Sequence, residues 1–265
     1  MKKEILIVLS VVLVVVIVAC GLWLGYYAVD SQHQKQTYET LAKDFLLEEP
    51  KSSLSLEDNS SGESSAAGET MATLTTVPPR HDLAALQAEN SDCVGWLTIP
   101  DTTVDYPVVW TPEKPEHYLR RDFYGNHASG GTPFLDGRNQ ARAEGQNLIL
   151  YGHNMLDGSM FKPVLQYFTP NFQVTHEDIY LELNGAQYHY QVIAALETST
   201  RSPVYTYTDL SDAAEMEDFR AMLLEETGLE AVPRTEGYLT LSTCNNQGGN
   251  SRLLVIAVLV EEVQR

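Results

Sequence analysis

"TLSTCNNQGGNSRLLVIAVLV", residues 240–260, holds the most informative pattern in the chain. An alternating run stops on Cys244, passes through a polar, glycine-bearing loop, and resumes just past Arg252. Two β-like runs around a turn-type segment read as a hairpin. A structural hairpin needs neither the thiol nor the guanidinium, whereas a nucleophile at a strand end with a cation on the next strand needs both. Eight residues separate Cys244 from Arg252, a distance over which a hairpin returns one beside the other.

Working outward, six further short β-like runs precede this pair, at 94–100, 104–110, 131–136, 147–153, 179–183 and 188–198, the pair itself being 237–244 and 252–262. Eight strands punctuated by Gly, Pro and Asn predict a mainly β fold, a closed or nearly closed barrel. "HDLAALQAENSD" at 81–92 predicts a short helix capped by Asp82. A longer helix is expected at 212–227, with Ser211 as cap, Met216, Phe219 and Leu223 on one face, and Gly228 as its end. A shorter helix is expected at 159–167, and no internal repeat is visible.

The N-terminus is of another kind. Residues 5–27 carry no charge. As a helix they span roughly 34 Å, enough for a bilayer core of about 30 Å. Lys2 and Lys3 precede them, so the positive-inside rule puts the N-terminus in the cytoplasm and the remaining chain outside. Trp23, Tyr26 and Tyr27 suit the outer interface. A cleaved signal peptide would have a shorter apolar region. "IVAC" at 17–20 has the form of a lipoprotein processing box centred on Cys20, but the apolar run continues beyond it. The expectation is an uncleaved anchor over 1–30. Residues 31–47 read as a short helix leaving the membrane, with Tyr38, Leu41 and Phe45 at helical spacing. Residues 48–80 are rich in Ser, Glu, Gly and Thr and read as a flexible spacer, too poor in apolar surface to offset the entropy of ordering. The folded domain is then 81–265.

With 36 acidic against 17 basic residues the net charge is −19, which excludes a nucleic-acid partner bound through its phosphates. The three cysteines, Cys20, Cys93 and Cys244, give no disulfide framework. A free thiol on the oxidising outer face calls for a reason. Cys93 reads as a small apolar residue opening a strand. A nucleophilic thiol needs a basic partner. The candidates are His33, His81, His117, His127, His153, His176 and His189. His153 stands out, because "NLILYGHN" places an imidazole at a strand end, as Cys244 is placed at its own. His189 alternates within a strand and reads as structural. No zinc-type spacing and no phosphate-binding glycine loop occurs, so no cofactor and no metal is expected. Met155 and Met160 read as packing or loop residues.

These segments together resemble the class B sortases, membrane-anchored cysteine transpeptidases of Gram-positive bacteria. "TLSTC" with an Arg-led strand resembles the family's nucleophile signature, "YGHNMLDGSMF" at 151–161 its histidine segment, and "NSDCVGWLTIPDTTVDYPVV" at 90–109 its first strands. The likeness covers about residues 80–262. It implies an eight-stranded sortase-type barrel with N-terminal helices and one helix before the penultimate strand. It implies Cys244 as nucleophile, His153 as general acid and base, Arg252 as stabiliser of the oxyanion, and Tyr151 and Ser242 in the sorting-signal groove. The partners it implies are the sorting-signal peptide of a surface protein and a cell-wall peptide amine as acceptor. A pilin lysine as acceptor, hydrolysis by a membrane-tethered cysteine peptidase, and an inactive binding barrel are the rival readings. Many members carry Asp directly after the cysteine where this chain has Asn245. The loop 245–251, with Gly248 and Gly249, reads either as a plain connecting loop or as one that flexes over the substrate.

Overall fold

The computed structural model describes residues 2–47, 77–244 and 249–263. Most of the expected spacer, together with Asn245 and the first half of the 245–251 loop, lies outside the described residues.

Eight strands close into a barrel: β1 (Cys93–Thr98), β2 (Asp105–Val109), β3 (Phe134–Leu135), β4 (Asn147–Tyr151), β5 (Asp178–Leu183), β6 (Ala186–Ser199), β7 (Tyr238–Cys244) and β8 (Ser251–Glu262). Every predicted run forms a strand. Around the barrel the order is β1-β2-β3-β4-β7-β8-β6-β5. The pairs β2–β3 and β4–β7 are parallel, and all others are antiparallel. Closure removes the unpaired edges an open sheet would present.

Successive side chains of a strand face opposite ways, and this alternation divides the apolar residues between two cores. Leu148, Leu150, Leu239, Leu241, Val255 and Ala257 belong to the main core inside the barrel. Tyr238, Leu254, Ile256 and Val258 face outward into a second cluster with Phe219 and Leu223. Those two come from α4 (Ala213–Thr227), the helix before the penultimate strand. Its N-cap is Asp212, whose carboxylate accepts from the amides of Ala214 and Glu215. The expected cap, Ser211, stands one residue too early; a carboxylate at the first turn also complements the helix dipole. Gly228 ends the helix in the left-handed conformation, φ 68°. At the other end of the domain, Asp82 caps α2 (Leu83–Glu89) by accepting from Ala85. In place of one helix at 159–167 there are two short turns of helix, a 3-10 segment Pro163–Phe168 and α3 (Pro170–Thr175), each begun by a proline. A proline lacks the amide that a first helical turn leaves unpaired anyway.

The N-terminal apolar run and the segment after it form one helix, α1 (Lys2–Asp44), long and apolar enough to cross a membrane. Its last third packs on the barrel. Tyr38 and Leu41 are buried, and Tyr38 meets Tyr106 of β2 edge-on at 5.3 Å. Gln34 accepts from the Gly130 amide and donates to the Gly131 carbonyl, to which the Tyr38 hydroxyl also donates.

Candidate active site

Cys244 ends β7 and is directly opposite Arg252 on β8. Cross-strand partners hold their Cβ atoms roughly 4.5–5.5 Å apart. Both belong to the outward-facing alternation, Cys244 in step with Tyr238 and Arg252 in step with Leu254, so thiol and guanidinium stand on the same face. Every earlier residue of β7 is buried and Cys244 is exposed, so the thiol sits where the strand emerges from the barrel rim. Arg252 donates through Nη1 to the carbonyls of Ser251 (2.9 Å) and Gly249 (3.3 Å), which ties the guanidinium to the base of its own loop.

His153 reaches the same rim because β4 runs parallel to β7. Tyr151 pairs with Ser242, and the Gly152 amide donates to the Ser242 carbonyl at 3.2 Å. Gly152 is required here: a Cβ on it would stand 2.6 Å from the ring of Phe161. That close approach lets the Phe161 amide donate to the His153 carbonyl at 2.8 Å. The ring is fixed at 2.9 Å between Nε2 and the carbonyl of Leu119. A carbonyl only accepts, so Nε2 carries the hydrogen and Nδ1 is the basic nitrogen. Burial lowers the imidazole pKa below its usual value. The Leu119 carbonyl opposes this, and the positive charges of Arg120 and Arg252 add to it. Asn154, next along, donates to the Cys244 carbonyl at 3.4 Å, joining the histidine loop to the end of β7.

Cys244, His153, Arg252, Tyr151 and Ser242 all line one cavity of about 570 Å³. His153 is the one histidine on that lining. His33 is exposed on α1. His81 is buried against Glu182 and Trp96, and His189 bonds Asp178. His176 stacks on Phe172, and His127 forms an isolated backbone bridge with Arg121. His117 lines a smaller cavity with Trp110 and Lys114. Cys93 is buried, and burial pushes its thiol up to about 12. Met155 and Met160 belong to the main core.

The cavity also contains residues that no sequence pattern singled out. Tyr205, in a 3-10 turn (Pro203–Thr206), bonds Ser242 hydroxyl to hydroxyl at 2.7 Å. Phe134, Tyr151 and Tyr205 form a stacked aromatic row, with centroids 5.3 and 6.1 Å apart. The Tyr151 hydroxyl donates to Asp136 at 2.8 Å, and Asp136 takes two further bonds from the Arg138 guanidinium at 2.7 and 2.9 Å. Burial pushes the Asp136 carboxyl up, but the bonds from Arg138 and Tyr151 outweigh it and hold the carboxyl below its usual range. One wall of the groove is therefore aromatic, braced by a charged pair. The same cavity is also lined by a thiol, an imidazole and a guanidinium.

A family model described as the sortase domain matches residues 97–260. The chain belongs to the sortase family, in its B class. Sortase B of Listeria monocytogenes is 33% identical over 171 residues, covering 63% of this chain and 69% of that one. Sortase B of Staphylococcus aureus is 26% identical over 269 residues, 98% of each chain. Among solved structures, a Staphylococcus aureus sortase B–substrate complex superposes with a TM-score of 0.60 at 28% identity, covering 68% of this chain and 84% of that one. Sortase B from B. anthracis in complex with a compound termed AAEK1 gives 0.59 at 31% identity, with 67% and 83% covered. Like these sortases the chain is a cysteine transpeptidase, with a mainly β barrel as its scaffold.

Proposed function

We propose that this sortase cleaves a C-terminal sorting signal of surface proteins and joins the carboxyl end to a cell-wall peptide amine. The observation that carries it is the register pairing of Cys244 with Arg252, beside a histidine whose basic nitrogen is Nδ1. In this reading the Cys244 thiol gives its proton to His153 and its sulfur attacks the scissile carbonyl carbon. The carbonyl oxygen becomes an oxyanion. Arg252 has five N–H donors and a permanent charge, so with Nη1 on the loop carbonyls it still has Nε and Nη2 to offer. Collapse breaks the C–N bond, and His153 returns its proton to the leaving amine. The thioester then waits until an acceptor amine attacks, His153 takes that amine's proton, and Cys244 leaves as the thiol.

Tyr151 and Ser242 line the sorting-signal groove in this account, Tyr151 through its ring and Ser242 as the anchor of Tyr205. Support for peptide and amine ligands comes from relatives: one structure is a sortase B–substrate complex, and another is sortase B complexed with triglycine. We further assign residues 1–30 to a single-pass anchor with the N-terminus cytoplasmic, and the barrel from 81 onward to the outer face. Lys2 and Lys3 before the apolar run support that orientation.

A peptide bearing the sorting motif, found by a cleavage screen, tests the reading. Added oligoglycine should divert product from free acid to amide, rising with amine concentration and vanishing in Cys244→Ala. A preference for lysine-bearing pilin peptides over oligoglycine would move the assignment to pilus polymerisation. Hydrolysis alone across a panel of amines would make the chain a peptidase instead.

A further inference from the structure

Beyond the apolar helix, the most exposed large apolar side chain among the described residues is Leu156, at 79%. It is not on a loose segment. Its neighbours Met155 and Met160 are buried, and Asn154 and Met160 form a β-bridge. The Gly158 carbonyl accepts from Thr103, and Asp157 accepts from the Ser159 amide and hydroxyl. A single exposed leucine is ordinary in itself; what matters is where this loop holds it.

That place is against α1. Ser31 of α1 hydrogen-bonds the Asp157 carboxylate. One turn earlier, the Tyr27 phenol reaches the Leu156 backbone. Tyr27 ends the uncharged run, and Ser31 lies only about 6 Å further along the helix axis. The bilayer's polar layer is of that thickness, since headgroups extend a membrane from about 30 Å to about 40–45 Å overall. With α1 across the bilayer, Asp157 lies among headgroups and Leu156 at the edge of the hydrocarbon. Asp30, which accepts from the Ser129 amide, fixes the same turn of helix to a second loop of the domain. We propose that the loop 154–160 is a membrane-contacting element that seats Leu156 in the outer leaflet, with His153 directly before it, so that the groove opens close to the lipid surface. This rests on reading α1 as a membrane span.

The net charge of −19, and Asp30 and Asp157 beside the loop, exclude attraction to anionic lipid as the cause. The occupant is the apolar part of a lipid, and zwitterionic lipid suffices. The test uses the full chain in phosphatidylcholine vesicles, with Cys20→Ala and Cys244→Ala to remove the exposed thiols, and Cys93 buried. Spin labels are placed singly at Val14→Cys, Leu156→Cys and Glu225→Cys. Glu225 is on α4, across the barrel from α1. Collisions with oxygen, which concentrates in lipid, are compared with those of a water-soluble nickel chelate. The Val14 label should favour oxygen strongly, the Glu225 label the chelate, and the Leu156 label should lie at phosphate depth, favouring oxygen several-fold over Glu225. A Leu156 label matching Glu225 while Val14 is deep overturns the lipid contact alone. A Val14 label exposed to the chelate overturns the membrane span and this proposal with it. A Leu156 label shielded from both reagents, in vesicles and after transfer to detergent, shows protein covering it and also overturns the proposal.

Discussion

The chain places a cysteine at each of two strand termini, and they meet opposite environments. Cys93 opens β1, where the main core and the Gly95 carbonyl enclose it. Cys244 closes β7, where the strand leaves its neighbours and the side chain opens onto a cavity. One thiol is pushed up to about 12 by burial and is inert; the other faces a guanidinium across the ladder. What separates the two cysteines is therefore what the fold puts over them. Exchanging each for alanine gives the largest contrast. Cys244→Ala should abolish acyl transfer with the melting curve almost unchanged. Cys93→Ala should keep its kcat and lose about 1 kcal/mol, the common cost of a small core truncation. Calorimetry and a product assay on the same samples read both. A dead but folded Cys93→Ala would invert the comparison.

The next contrast is between the two parts of α1. Residues 5–26 are exposed and only Tyr27 of the apolar run leans on the main core, whereas Tyr38 and Leu41 are buried in it. Removing residues 1–29 should leave a folded, soluble and active enzyme. Removing residues 1–47 strips Leu41, whose burial alone is worth roughly 1.5–3 kcal/mol, together with Tyr38 and its bonds to the 131–132 segment. That form should melt several degrees lower or fail to fold. Equal melting temperatures for the two would show that the docked helix contributes nothing to the fold.

At the reactive end, Arg252→Lys keeps the charge and loses the fork. The expected loss in kcat is roughly 10²–10³, the scale of one oxyanion donor, with KM little changed. A wild-type rate in Arg252→Lys would show that charge without geometry suffices.

These contrasts also mark how far the sequence could be read. Strands, their order along the chain and the residues at the ends of β4 and β7 were legible, because period-two runs and turn residues are local signals. Cys244 and Arg252 were legible as a pair because a hairpin joins them within eight residues. His153 needed the parallel β4–β7 pairing, a non-local contact, and was identified by analogy of position and by family resemblance. Tyr205 and the Asp136–Arg138 brace had no signal at all. Each joins the groove from a loop whose partner lies on another strand, 37 residues away for Tyr205 and Ser242 and 15 for Tyr151 and Asp136. The docking of α1 was hidden for the same reason, since Gln34 and Tyr38 bond backbone more than ninety residues away. The misplaced cap at Ser211 was a one-residue ambiguity between two capable side chains.

The smallest effect expected concerns the imidazole itself. Burial and the charges of Arg120 and Arg252 hold His153 below its usual pKa, so at neutral pH it stands mainly as the base. In the proposed mechanism the imidazolium that protonates the leaving amine forms when the Cys244 proton passes to the ring, so the neutral ring that accepts it should be lost as pH falls through a value below about 6.5, the unperturbed histidine pKa. Neutralising one of the two cations removes a repulsion that opposes protonation, so the sign is upward. In Arg120→Gln, which leaves Cys244, His153 and Arg252 in place, the His153 resonance should titrate at higher pH than in the parent. NMR of carbon-labelled histidine reads this without any turnover, with His189, bonded to Asp178 away from the groove, as an internal reference. A shift of His153 toward lower pH, or an equal shift of both histidines, would mean that the arginine charge does not act on the ring and that burial alone sets its basicity.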